Sequence, residues 1–350
     1  MRRPVLFTLL ASGAILGLLL LGNFQREEPF LETPSEQNTV DAEESAAIDT
    51  ADTAKAPVPD EALSPETTIA NSGNVLATFP TLRGAIVNIL CVSTDTRIRS
   101  MSGSGVIVSP NGTILTVAHV AQYFLLQDTL PEGTISCTIR TGSPATDTYI
   151  GKALFVSSAW ILANKTALTA TSPVGTGEND FALIGITGST KNTHLSSSIP
   201  SIPLARRDPL LQEKTVIGSY GAEFIPSKDI RLGLSPILDF ATISDQFTFQ
   251  KTTVDLLSLK NSTAAQEGSS GGAVADGYGE VIGIITTSSS GSDIGKRTLN
   301  AITANYIRRA FLQETGASLD SYIQSPDTSS LVDAYAEQKE ILAETLLKDL

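Results

Sequence analysis

The sequence predicts an all-β fold: two β units of similar size, closed off by helices at the C-terminus. Three observations predict it. From about Val75 onward, short apolar or alternating runs are separated by Gly, Pro, Asn and Ser. These runs fall into two sets divided by a polar stretch over 187–198. The last two segments switch to helical spacing. Many short strands punctuated by turn residues build sandwiches or barrels.

The elements follow in chain order. Arg2 and Arg3 precede an uncharged run over 4–24, close to the ~20 residues that span a bilayer. The run ends in Leu-Leu-Leu-Leu-Gly-Asn-Phe, a poor match to a small-residue cleavage site. Residues 1–24 are therefore expected to be a retained membrane anchor. By the leading arginines, everything after residue 24 is expected outside the cytoplasm, in a periplasm or at a cell surface. Cleavage of the segment would instead give a secreted protein. Residues 25–74 are acidic, poor in large apolar side chains and rich in Ala, Thr, Ser and Pro, so a disordered tether is expected.

The first β unit is expected over 75–198, with runs "AIVNILCV", "GSGVIVS", "TILTVAHV", "TISCTIR", "YIGKALFV" and "FALIGI" and the turn signal "SPNG" after the second. The second is expected over 199–316, with "KTVIGSYG", "IRLGLSPIL", "FATISDQFTF", "TTVDLLSL", "GAVADGYGEVIGIITT" and "RTLNAIT". "ANYIRRAFLQETG" then has helical spacing, with Ile307 and Phe311 on one face and Gly316 as a stop. Residues 317–350 form a helical tail. Leu331, Tyr335, Leu342 and Leu346 share one stripe there, and Ser330 with Asp333 resembles a capping box.

Composition narrows the function. The net charge of −13 argues against a nucleic-acid partner bound through phosphates. About −10 of it lies within 23–72, where twelve acidic residues meet two basic ones, so the body is only mildly acidic. With two cysteines, two histidines and no CxxC or HExxH spacing, no metal site is expected, and no cofactor is called for. His194, in the polar stretch, reads as solvated.

Three short stretches carry chemistry. His119 ends the strand-like run "TILTVAHV". Asp180 in "ENDFAL" stands just before an apolar strand, where a carboxylate needs a hydrogen-bonding partner. Ser270 lies in "GSSGG", a run too rich in glycine to continue a helix. Each is weak alone. Together they supply a nucleophile, a base and a carboxylate that orients the base.

The order His, Asp, Ser in "TVAH", "DFAL" and "GSSGG" resembles the trypsin-like serine proteases of the chymotrypsin fold, the Deg-like bacterial type without a PDZ domain. The likeness spans about 75–316. It implies two six-stranded antiparallel β-barrels, a serine endopeptidase acting on proteins or peptides, Ser270 as nucleophile, His119 as general base and acid, and Asp180 as the orienting group. It also implies an oxyanion hole from the N–H groups of Gly268 and Ser270. Family members usually carry Asp or Asn just before the nucleophile, whereas this chain has Ser269, and no "IVGG" start is present. By the same likeness Ala264 sits at the base of the S1 pocket and Ile285 and Thr286 wall it, favouring a small or apolar P1 residue. In a six-stranded barrel of this family the first and fourth strands are neighbours, which brings Cys91 and Cys137 within disulfide reach. The alternative reading is an inactive protease fold that binds peptides or misfolded proteins. An α/β-hydrolase esterase is disfavoured, because it needs G-x-S-x-G and the order Ser, Asp, His.

Overall fold

The computed structural model describes residues 73–169, 175–223, 229–250, 252–289, 296–348 and 350. The expected anchor and nearly all of the expected tether lie outside these residues. Among the described residues no helix is long and apolar enough to cross a membrane. Both β units belong to one compact unit, residues 66–350.

The first six strands are β1 (Ile86–Ser93), β2 (Met101–Ile107), β3 (Thr113–Thr116), β4 (Ile135–Thr141), β5 (Thr146–Val156) and β6 (Ala182–Ser189). They close into an antiparallel barrel in the order β1-β2-β3-β6-β5-β4. The next six are β7 (Lys214–Ser219), β8 (Ile237–Phe247), β9 (Leu256–Lys260), β10 (Ala273–Ala275), β11 (Val281–Ser288) and β12 (Leu299–Thr303). They close in the order β10-β11-β12-β9-β8-β7, the same topology repeated. Alternation in the sequence becomes alternation across each barrel wall. Ile89, Ile114, Ile139 and Ile184 are fully buried in the first, and Ile217, Ile243, Leu257 and Val274 in the second.

Several sequence expectations need correction. The run "IRLGLSPIL" is not a strand until Ile237; Gly233 and Pro236 break it, and the chain there is turn and bend. The end of "TILTVAHV" leaves the strand after Thr116 and enters helix α2 (Ala118–Gln127). His119 therefore sits in a first helical turn. Nothing local announces α2: its N-cap, Val117, makes no side-chain cap bond. The helix is buried from Val120 through Leu126, so packing rather than propensity creates it. A further helix, α1 (Val75–Ala85), occupies the start of the expected first barrel, yet packs on the second. Its Leu82 lies against Gly218 of β7. Asn74, at the end of the expected tether, caps α1 and donates its N–H to the Gly277 carbonyl at 2.8 Å. The connection over 199–205 serves both barrels. Ile202 N–H bonds Ile107 O, and Ala205 N–H bonds Val281 O.

The C-terminal helices return to the first barrel. Helix α4 (Ala304–Thr315) ends at Gly316, with φ +71°. Its Phe311 meets Phe155 of β5 edge-on at 4.8 Å. After α5 (Leu319–Ile323), helix α6 (Thr328–Leu347) buries Tyr335, Leu342 and Leu346 and leaves Leu331 partly covered. Asp327, rather than Ser330, caps α6: its carboxylate accepts from the Ser330 N–H at 3.0 Å. The Tyr335 hydroxyl both accepts from the Val156 N–H and donates to the Val156 carbonyl, ending the β5 ladder with a side chain.

Candidate active site

His119, Asp180 and Ser270 line one cleft of about 600 Å³ between the two barrels. His119 and Asp180 come from the first barrel. The turn before β6 folds back through Asn179, whose φ is +58°. Tyr306 of α4 holds that turn: its hydroxyl accepts from the Asn179 N–H at 2.9 Å and donates to the Asn179 side-chain oxygen at 3.0 Å. Asp180 is thereby buried, facing His119. One carboxylate oxygen accepts the His119 backbone N–H at 3.0 Å, and the other lies 2.8 Å from Nδ1. A carboxylate is acceptor-only at neutral pH, so the Nδ1 position carries the proton and Nε2 is left with its lone pair.

The stretch 267–272 forms a loop that leads into β10, and its peptide planes are fixed one after another. The Glu267 carbonyl accepts from Ala222 N–H at 2.7 Å and the Ser269 carbonyl from Gly272 N–H at 2.9 Å. In a trans peptide the N–H points opposite to its carbonyl. These two bonds therefore direct the N–H groups of Gly268 and Ser270 to the other side of the loop. Ser104 of β2 fixes the remaining two planes. Its hydroxyl donates to the Gly268 carbonyl at 2.8 Å, and its N–H donates to the Ser270 carbonyl at 2.8 Å. Ser104 is itself held: Tyr220 N–H donates to its hydroxyl at 2.8 Å and the Thr116 hydroxyl to its carbonyl at 2.7 Å.

The glycines make this approach possible. Gly271 has φ +84°, and a Cβ there would lie 2.1 Å from the Ser104 carbonyl oxygen. Ser269 is buried, and the Ser219 hydroxyl donates to its own at 3.3 Å. The Ser270 hydroxyl is half-buried and donates to the Thr286 carbonyl over a long 3.5 Å. Ser104, within the strand-like run "GSGVIVS", carried no site signal in the sequence, since the loop residues it bonds lie about 165 residues away.

The cleft walls differ from expectation in part. Thr286 lines it, continued by Thr287 and Ser288. Ile285 and Ala264, expected to wall and floor the pocket, are buried in the core of the second barrel and are not among the lining residues. The β11–β12 ladder shifts register between Ile285 and Thr287, leaving Ile285 in the barrel core and Thr286 on the cleft wall. The far wall is the short helix α3 (Ser158–Ala163), a feature the sequence reading missed. It carries Trp160, whose ring centre lies 6.4 Å from that of His119. Glu314 of α4 anchors α3 from below, accepting from the hydroxyls of Ser157 and Ser158 and from the Ser158 N–H. His194 is exposed in its polar stretch.

Away from the cleft, Cys91 of β1 opposes Cys137 of β4 in the barrel register, and the two are disulfide-bonded. Among the described residues no group of His, Cys, Asp and Glu is arranged to hold a metal ion.

Residues 103–284 match the family model of the trypsin-like peptidase domain. No curated protein matches the chain. Among solved structures, the chain is similar to the Rv3671c protease from M. tuberculosis in its active form, at 16% identity over 73% of this chain and 89% of that one, with a TM-score of 0.43. The inactive form of the same protease aligns at 17% identity over 73% of this chain and 98% of that one, with a TM-score of 0.41.

Proposed function

Because this chain belongs to the trypsin-like peptidase domain family, serine-type endopeptidases that act on proteins or peptides, we propose that it cleaves peptide bonds through Ser270, His119 and Asp180. The observation that carries the assignment is the Asp180–His119 contact at 2.8 Å in the same cleft as Ser270.

The chemistry follows from the protonation pattern. Asp180 keeps the imidazole proton on Nδ1, so Nε2 takes the Ser270 proton as the hydroxyl oxygen attacks the scissile carbonyl carbon. The serine must first leave the Thr286 carbonyl, and catalytic hydrogen bonds in ligand-free sites are commonly long. The carbonyl oxygen becomes an oxyanion facing the N–H groups of Gly268 and Ser270, whose orientation costs no reorganisation because the loop carbonyls are already bound. The imidazolium then passes its proton to the leaving amine. Water repeats the sequence on the acyl-enzyme, and Ser270 is regenerated.

Substrate binding is proposed along β11. Gly271 and Gly272 bond Ile285 on the cleft side, and beyond that point Thr286–Ser288 offer backbone groups to an extended peptide as an added strand. The preference for a small or apolar P1 side chain rests on the family likeness alone, since Ala264 itself lies in the barrel core outside the cleft. The N-terminal run and its leading arginines support a membrane-tethered enzyme with its catalytic body outside the cytoplasm.

Labelling by a fluorophosphonate probe tests the assignment. The wild-type chain should be modified at Ser270, and Ser270→Ala should be inert. An unlabelled wild type would support the inactive, peptide-binding alternative.

A further inference from the structure

The residue before the nucleophile, Ser269, gives the loop a neutral contact with Ser219. A charged pair sits elsewhere, one residue from the bond that orients Gly268. Glu223 follows Ala222, and its carboxylate is gripped by Arg297, which reaches one of its oxygens at 2.7 Å and the other through its second terminal nitrogen. The same guanidinium donates to the Ala265 carbonyl at 2.9 Å. The Arg297 side chain is 12% exposed and that of Glu223 27%. Residue 267 is thus approached from both ends. Ala222 N–H holds its carbonyl, and Arg297 holds the chain two residues earlier.

We infer that Glu223 and Arg297 are positioning residues for the oxyanion hole: the pair fixes Ala222 and Ala265 on either side of residues 266–267, and so sets the Gly268 N–H. This rests on the peptidase reading above. An ordinary surface ion pair is worth little, because two long side chains lose entropy to hold one geometry in water. This pair is a bidentate fork with a third backbone acceptor, so its geometry is over-determined. It also joins the β7–β8 connection to the entry of β12, two segments that otherwise approach the loop independently. Arg297, aided by the Glu267 amide, holds the Glu223 carboxyl below the usual carboxylate range, against the opposing effect of burial. The sign is that of a depressed carboxylate. The clamp is intact through neutral and mildly acidic solution and is lost as pH falls through the lowered value.

The test uses Glu223→Gln, which keeps the shape and removes the charge, and Arg297→Lys, which keeps the charge and removes the fork. In the full-length chain each should lower kcat about tenfold, below the loss of a whole oxyanion donor. KM should stay within about twofold, because ground-state contacts along β11 are untouched. Hydrogen exchange provides a readout that does not depend on turnover: amides of 266–270 should exchange faster in both variants while those of β1 and β6 stay unchanged. Wild-type kcat, or unchanged exchange at 266–270, in either variant would overturn the clamp. If the wild-type chain itself neither cleaved peptides nor took up a fluorophosphonate, the peptidase reading would fail, and the exchange result would still decide the clamp.

Discussion

The two barrels share a topology but hold the groups they bring to the cleft by different means. The first barrel positions His119 and Asp180 through side chains: a buried carboxylate, an imidazole and the Tyr306 hydroxyl behind them. The second positions Ser270 through its main chain, with four consecutive carbonyls, 267 to 270, each taken by a donor. Two of those donors come from Ser104, in the first barrel. The first barrel is also the more heavily braced, by the Cys91–Cys137 disulfide and by α6. The 267–272 loop is thus ordered by docking onto the neighbouring barrel, so under the proposed mechanism the placement of Ser270 depends on the barrel interface as much as on either barrel.

Four experiments test this contrast. The largest effect is expected from Ser270→Ala and from His119→Ala. Each should reduce cleavage by about 10⁴-fold or more with the fold retained, and to a similar degree, because residues of one catalytic unit are not additive. Circular dichroism beside a peptide assay reads both quantities. Retained cleavage in Ser270→Ala with loss in Ser269→Ala would reassign the nucleophile.

Next come the substitutions at the barrel interface. Gly271→Ala drives a Cβ into the Ser104 carbonyl and should leave the loop unable to dock. Ser104→Ala removes the donor to Gly268 and the acceptor for Tyr220. It should cost about 1–3 kcal/mol of stability and lower kcat by about 10- to 100-fold. Denaturant unfolding together with steady-state kinetics separates the two losses. A Ser104→Ala enzyme with full kcat would show that the Ser104 hydroxyl is not needed to order the loop.

Removing the disulfide by Cys91→Ser with Cys137→Ser should affect stability and little else. The bridge spans 46 residues of sequence. In the chain-entropy model a loop of that length contributes about 4 kcal/mol. Urea midpoints should fall while kcat at low temperature is kept, because the bond lies on the β1–β4 seam, away from the cleft. Intact mass of denatured, alkylated protein should show no alkylation before reduction.

The smallest effect is expected from Tyr306→Phe, about 1 kcal/mol, from the hydrogen bonds to Asn179. It should act more on kcat than on KM, because the turn it braces carries Asp180. Burial pushes the Tyr306 phenol up to about 12. A raised value means its contribution is complete below the free phenol's pKa of about 10 and is lost as pH rises toward 12. Unfolding curves from pH 9 to 12 should show a gentler alkaline decline in the Phe variant than in the wild type.

The sequence by itself determined a good part of this molecule. Periodicity two and turn residues marked all six strands of the first barrel and most of the second, because strand patterning is local and each face faces one environment. Gly316 and the Ile307/Phe311 spacing announced α4 for the same reason. His119, Asp180 and Ser270 were legible as a set because short motifs flank each of them, although their meeting in one cleft was beyond any local signal. The remaining features depend on long-range packing. Helix α2 has no cap and no polar face, so burial alone makes it a helix. Helix α1 follows its own neighbours in sequence away from β1 and onto β7, a choice that depends on which apolar surface is left uncovered. Ile285 and Thr286 take different places because the β11 ladder shifts register between Ile285 and Thr287, which strand pairing rather than composition assigns. Ser104, Ala222, Glu223 and Arg297 converge on the nucleophile loop from separate parts of the chain. Contacts between segments this far apart in the chain leave no local pattern, so no reading of the sequence could have placed them there.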